Sequence, residues 1–172
     1  MFGLFKKKKA PEGPITLSFA VDVERPAEEV YPLIDWADPR NAKRQLGETV
    51  TAIEGSPNFF RLVMSGMPEH NFDMLVSEAV HNRSYRFSTD INPRVGRLEA
   101  SEEYYELEPS GDGQCQLSLT ITAKFRAGLT ERQFKEEALM IGVACHNALL
   151  RLKAHAEEGV EGERALEKQL YG

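Results

Sequence analysis

Cysteine, tryptophan and histidine are scarce in this chain of 172 residues, with two, one and four of each. Cys115 and Cys145 stand far apart, with neither a CxxC pair nor a matching histidine pair. That excludes the usual zinc site and a disulfide framework, and the two read as small buried hydrophobes in a reducing cytoplasm. No apolar run approaches the roughly 20 residues that a membrane-spanning helix needs. The GxSxG elbow, the phosphate-cradling glycine loop, the HExxH pair and the dinucleotide fingerprint are all missing, so no cofactor and no metal is expected. Positive charge is short too. Four of the 21 basic residues lie in residues 1–10 beside no acid, so the rest carries 17 basic against 27 acidic residues, a net −10. An acidic body argues against nucleic-acid binding, where basic surface supplies most of the affinity.

What is present fits one globular domain: 41% hydrophobic and 28% charged residues, on a chain long enough to bury a core without a staple. Residues 1–13 are set apart as a basic, disordered tail. Phe2, Leu4 and Phe5 precede Lys6 to Lys9, the reverse of a secretory signal, and residue 2 is not the glycine that myristoylation needs. The tip is either a solvated leader or a weak peripheral contact with the inner face of a membrane, its rings entering the interface and its lysines meeting anionic lipid. Ala10-Pro11-Glu12-Gly13-Pro14 reads as a linker.

From Ile15 the period is two: Ile15, Leu17, Phe19, Val21 and Val23 on one side, polar or small residues on the other, the mark of a half-buried strand. Pro26 then opens a short helix with Val30, Leu33 and Ile34 on one stripe, and a second short helix is predicted from Pro39 to about Gln45. Strand signals follow over 50–53, 59–64, 72–80, 85–89 and 98–107. Pro109 to Gly113 is the clearest hairpin turn, and alternation resumes from Cys115 to Phe125. Short connections imply an antiparallel meander. Thr130 and Gln133 form a capping-box signature, and a long helix with Phe134, Ala138, Ile141, Cys145, Leu149, Leu152 and Ala156 on one face is predicted to about Gly159. Residues 160–172 are a polar extension that adds a helical turn or two or frays.

This order resembles the START-like, or SRPBCC, superfamily, which includes polyketide cyclases and dehydratases and lipid-transfer domains. The resemblance is carried by Phe19-Ala20-Val21-Asp22-Val23 and by Arg25-Pro26-Ala27-Glu28-Glu29-Val30-Tyr31-Pro32-Leu33-Ile34, with Trp36 and Pro39 after them. It implies an α+β helix-grip fold over residues 14–159: a seven-stranded curved antiparallel sheet around the long C-terminal helix, with two short helices between strands 1 and 2. It also implies an apolar cavity between sheet and helix. Inward candidates are Met64, Phe72, Met74, Tyr85, Phe87 and Tyr104 from strands, with Met140, Ile141 and His146 from the helix. Such side chains suit an adaptable pocket, though each could equally be core packing.

Catalytic groups are few. His155 is expected near the exposed end of the helix and His81 in a surface turn. His70, with Glu69 and Asp73, reads as a solvated strand end, and Glu99, Glu102, Glu103 and Glu106 as strand ends and solvent face. His146, mid-helix among apolar neighbours, is either a structural histidine or a neutral base. The first reading is therefore a cytoplasmic binder of a hydrophobic small molecule (lipid, isoprenoid or aromatic polyketide-like). A cyclase/dehydratase-type enzyme and a protein-interaction domain are the alternatives.

Overall fold

The computed structural model describes residues 9–172; the Phe2, Leu4, Phe5 and Lys6 to Lys8 part of the basic tip lies outside them. The alternating segment forms β1 (Ile15–Val23), and the Pro26 break admits α1 (Ala27–Ile34) and α2 (Ala42–Gln45). The meander then runs through β2 (Thr49–Ala52), β3 (Phe59–Val63), β4 (Asn71–Val80), β5 (Ser84–Asn92), β6 (Leu98–Gly111) and β7 (Gln114–Phe125). The strands make one antiparallel sheet in the order β1-β7-β6-β5-β4-β3-β2, in which the pairing of β1 with β7 is the one that joins strands remote in sequence. On its outer face the β1–β7 seam carries hydroxyl pairs, Thr16 with Thr122 and Ser18 with Thr120. Its inner face carries Leu117, Leu119 and Ile121, all buried. The period of two thus assigns one face to water and one to the core.

The helix α3 (Glu131–Tyr171) crosses that inner face. Thr130 caps it as the capping box predicts, accepting from the Gln133 backbone N–H while Gln133 returns the bond. The helix passes β1 at Gly142, where a methyl group would lie in ordinary contact with Leu17 at 3.5 Å and Phe19 at 3.7 Å. With its short helices, curved seven-stranded sheet and long helix, the architecture is the helix grip expected.

One region departs from expectation. Residues 160–171 do not fray; they are helical, and the chain reverses at Gly159, whose φ of +74° lies where side-chain-bearing residues are strained. The return limb runs back along the outgoing limb through three pairs that step one helical turn apart: His155 with Glu163, Arg151 with Glu167, and Asn147 with Tyr171. Gly162 permits the close approach, since a Cβ there would overlap the Glu158 side chain and press within 3.0 Å of the Ala154 carbonyl oxygen. His155, expected at an exposed helix end, is therefore 4% exposed. Its Nδ1 lies 2.6 Å from Glu163 and its Nε2 3.1 Å from Gln45 of α2.

Candidate functional site

Between the sheet, α1, α2 and α3 lies a cavity of about 360 Å³. Its apolar wall comes from β3 and β4 through Leu62, Met64, Phe72 and Met74, and from Phe87 on β5. Across from them stand Ala144, Ala148 and Leu152 of α3. Trp36 sets its ring edge-on to Phe87, 5.5 Å between centroids, and is itself placed by Arg44, which donates to the carbonyls of Trp36 and Val50. A second cleft, of about 480 Å³, lies between residues 9–13 and the turn after β7, and it holds none of the predicted inward residues.

One end of the cavity is polar. Glu103 and Tyr105 of β6, Lys43 of α2, Arg151 of α3 and Glu163 of the return limb all line it. The Tyr105 hydroxyl donates to Glu103 Oε2 at 3.3 Å. Burial raises the Glu103 carboxyl to about 7, against smaller opposing effects of the Tyr105 hydrogen bond and the Lys43 charge. Burial, with the negative charge of Glu103, also raises the Tyr105 phenol. The Cys145 thiol is pushed up to about 12 by burial and by Glu103, so it is an inert core group rather than a nucleophile. Lys43 is lowered, by burial first and by the Arg151 charge second. A carboxyl that changes charge near neutrality, bonded to a phenol inside an apolar cavity, can exchange a proton with a bound molecule. Among the described residues no cluster of three metal-ligating side chains occurs.

Of the predicted inward residues, Met64, Phe72, Met74 and Phe87 line this cavity. Tyr85 and Ile141 pack in the core beside it, Tyr85 accepting the Trp36 backbone N–H at 3.1 Å. The other three face elsewhere. Tyr104 is on the outer face under the Arg86 guanidinium, 3.9 Å from its ring centroid. A register shift between Leu98 and Ala100 reverses the phase of β6, which turns Tyr105 and Glu103 inward instead. Glu103, expected on the solvent face, pairs across to Phe87 and Ile121. His146 is exposed, its ring 5.9 Å from Phe19. At 3.6 residues per turn it sits about 200° around the helix from Ala144, away from the cavity stripe. Met140, one turn before Ala144, lies where the helix has passed the cavity wall, and it is 58% exposed.

Lys43, Glu103, Tyr105, Arg151 and Glu163 were missed as a group. The signal for Glu103 and Tyr105 was their shared parity with Leu107, which is 3% exposed. That for Glu163 was the spacing of Val160, Leu166 and Leu170, which marks residues 160–171 as an amphipathic helix rather than a polar tail.

No family model and no curated protein matches the chain. Solved structures do. DynU16, a protein in the dynemicin biosynthetic locus, matches 84% of this chain at 19% identity and a TM-score of 0.62; the chain spans about half of it, 48%. The Zhui aromatase/cyclase from a Streptomyces species matches 93% of this chain and 98% of its own at 15% identity and a TM-score of 0.58. A START superfamily protein from Mycobacterium smegmatis matches 81% of this chain and 99% of its own at 14% identity and a TM-score of 0.51. These likenesses show that the chain has the START-like helix-grip fold.

Proposed function

We propose that this protein binds an apolar small molecule in the cavity between the sheet and α3. The observation that carries the reading is the cavity itself: about 360 Å³ walled by methionine and aromatic side chains, in a core that is otherwise closely packed. The fold it shares with an aromatase/cyclase and a START protein supports the same reading. Native mass spectrometry of freshly purified protein should show a co-purified adduct. Ala148→Phe, which fills the cavity from α3, should remove it while leaving the fold intact. A clean apo mass, with no thermal shift across lipids, quinones and polycyclic aromatics, would count decisively against the reading.

A second reading, acid–base chemistry of the cyclase/dehydratase type on the bound molecule, is favoured by Glu103, whose carboxyl titrates at about 7 and is bonded to Tyr105. Under it Glu103 takes the acid/base part that sequence alone would give to His146, and Glu103→Gln abolishes turnover without abolishing binding.

The basic tip, Phe2 to Lys9, is proposed as a weak contact to the inner face of an anionic membrane, bringing the cavity to an apolar ligand's source. No helix among the described residues is long and apolar enough to cross a membrane. Co-sedimentation with anionic liposomes should fall when residues 1–9 are deleted or salt is raised; unchanged binding after the deletion refutes the contact.

A further inference from the structure

We infer that the ligand of this cavity carries a carboxylate on its apolar body, and that Lys43 is the side chain that receives it. The inference rests on the cavity being a ligand site and says which chemistry it selects. One donor group at the polar end is left over without an acceptor. Among the described residues the Lys43 ammonium makes no hydrogen bond and no ion pair, although the side chain is half-buried and lines the cavity. The carboxylates whose charge reaches it are each held by another group. Glu163 is 2.6 Å from His155, Glu167 is 3.2 Å from Arg151, and Glu48 accepts from the Ser65 backbone N–H and hydroxyl. Glu103, on the facing strand, accepts the Tyr105 hydroxyl.

The same excess recurs in the neighbours. Arg151 donates through Nη1 to Glu167 but leaves Nε buried without a partner, and Trp36 leaves Nε1 so. Every buried, unpartnered polar atom on the residues that line the cavity is thus a donor, and none is a carboxylate oxygen. A buried donor without an acceptor costs about 1–3 kcal/mol, and an ammonium drawn out of bulk water loses hydration that a counter-charge restores. Arg151, whose charge also acts on Lys43, is already paired with Glu167, so Lys43 is the cation left to receive a negative group. A carboxylate is such a group, with two oxygens and one charge. The wall of Met64, Phe72, Met74 and Phe87 offers no partner to a second charged group, so the remainder of the ligand is apolar.

The single tryptophan of the chain lines the cavity, so its fluorescence reports occupancy directly. Wild-type protein is titrated with dodecanoate, 1-dodecanol and methyl dodecanoate, three probes with one alkyl chain and different ends. Dodecanoate should bind at least about tenfold more tightly than the alcohol or the ester. That preference, read as the ratio of dodecanoate to dodecanol affinity within each variant, should vanish in Lys43→Met and Lys43→Gln and persist in Lys43→Arg. Equal binding of the three probes by wild type overturns the carboxylate inference and leaves the cavity reading standing. A preference that survives in both neutral variants overturns the role of Lys43. No fluorescence response to any probe overturns the inference and the cavity reading together.

Discussion

Replacing Glu103 by glutamine should flatten the pH dependence of this protein's stability across neutrality. The folded carboxyl titrates at about 7 because burial disfavours its charged form, whereas in the unfolded chain it returns to its ordinary 4.5. Between those values the native state keeps a proton that the unfolded chain has released, so stability falls as pH rises. The contribution is complete below 4.5 and is lost progressively as pH climbs through about 7. At about 1.4 kcal/mol per unit, the shift amounts to about 3 kcal/mol. Glutamine keeps the shape and still accepts the Tyr105 hydroxyl, but it has no charge to bury. Urea unfolding of both proteins at intervals from about pH 4 to about pH 8.5 provides the test. The two should be nearly equal at the acid end, and the variant should be the more stable by about 3 kcal/mol at the alkaline end. Other carboxylates, among them Asp38, Glu99 and Glu157, are held below their ordinary values by cationic or hydrogen-bonding partners, and they cancel in the comparison. Tyr105→Phe sharpens it: losing that hydrogen bond should move the Glu103 titration further up. Parallel pH profiles for wild type and Glu103→Gln would refute the argument that this carboxyl is desolvated.

Three further substitutions probe the return limb and the corrected helix face. His155→Ala leaves the Glu163 carboxylate 3% exposed and without the imidazole 2.6 Å away, and by the usual cost of a broken buried pair it should destabilise by about 3–5 kcal/mol in chemical denaturation. Gly162→Ala would stabilise an ordinary helix, but the new methyl meets Glu158 and the Ala154 carbonyl, so a loss of about 1–3 kcal/mol is expected. A gain in melting temperature would show that the limbs do not pack as described. His146→Ala should change stability by no more than about 0.5 kcal/mol and leave probe binding untouched, since the side chain is exposed on the far side of α3 from the cavity. A binding defect there would return His146 to the site.

How far each element was legible followed from how local its signal is. The β1 strand was readable because nine residues alternate without a break, and the start of α3 because Thr130 and Gln133 form a motif that closes on itself within one turn. The site was half legible for the same reason. Phe72 and Met74 lie before the register shift of β4, which falls between Val76 and Glu78, and Phe87 lies in the alternating run of β5, so their side followed from their position. Glu102-Glu103-Tyr104-Tyr105 gives both faces of β6 the same residue types, and the register shift before Ala100 breaks the phase that Leu98 would have set. Periodicity had no means of choosing Tyr105 over Tyr104. On α3 apolar residues serve the core at Cys145 and Leu149, the cavity at Leu152 and, at Met140, open solvent, and residue type alone does not tell them apart.

By itself, the sequence determined most of the elements and their order, since those follow from local period, capping and short antiparallel connections, and the resemblance carried by residues 19–34 implied the helix grip they build. It also argued against a disulfide framework and a metal site, since it has two distant cysteines and no ligand spacing. Only the tertiary structure decided which side chains share the cavity. Lys43, Glu103, Arg151 and Glu163 lie on α2, β6 and the two limbs of α3, and they meet because one strand slips its phase and the chain turns back at Gly159. Both events act on distances between remote segments, which no local pattern of residues encodes.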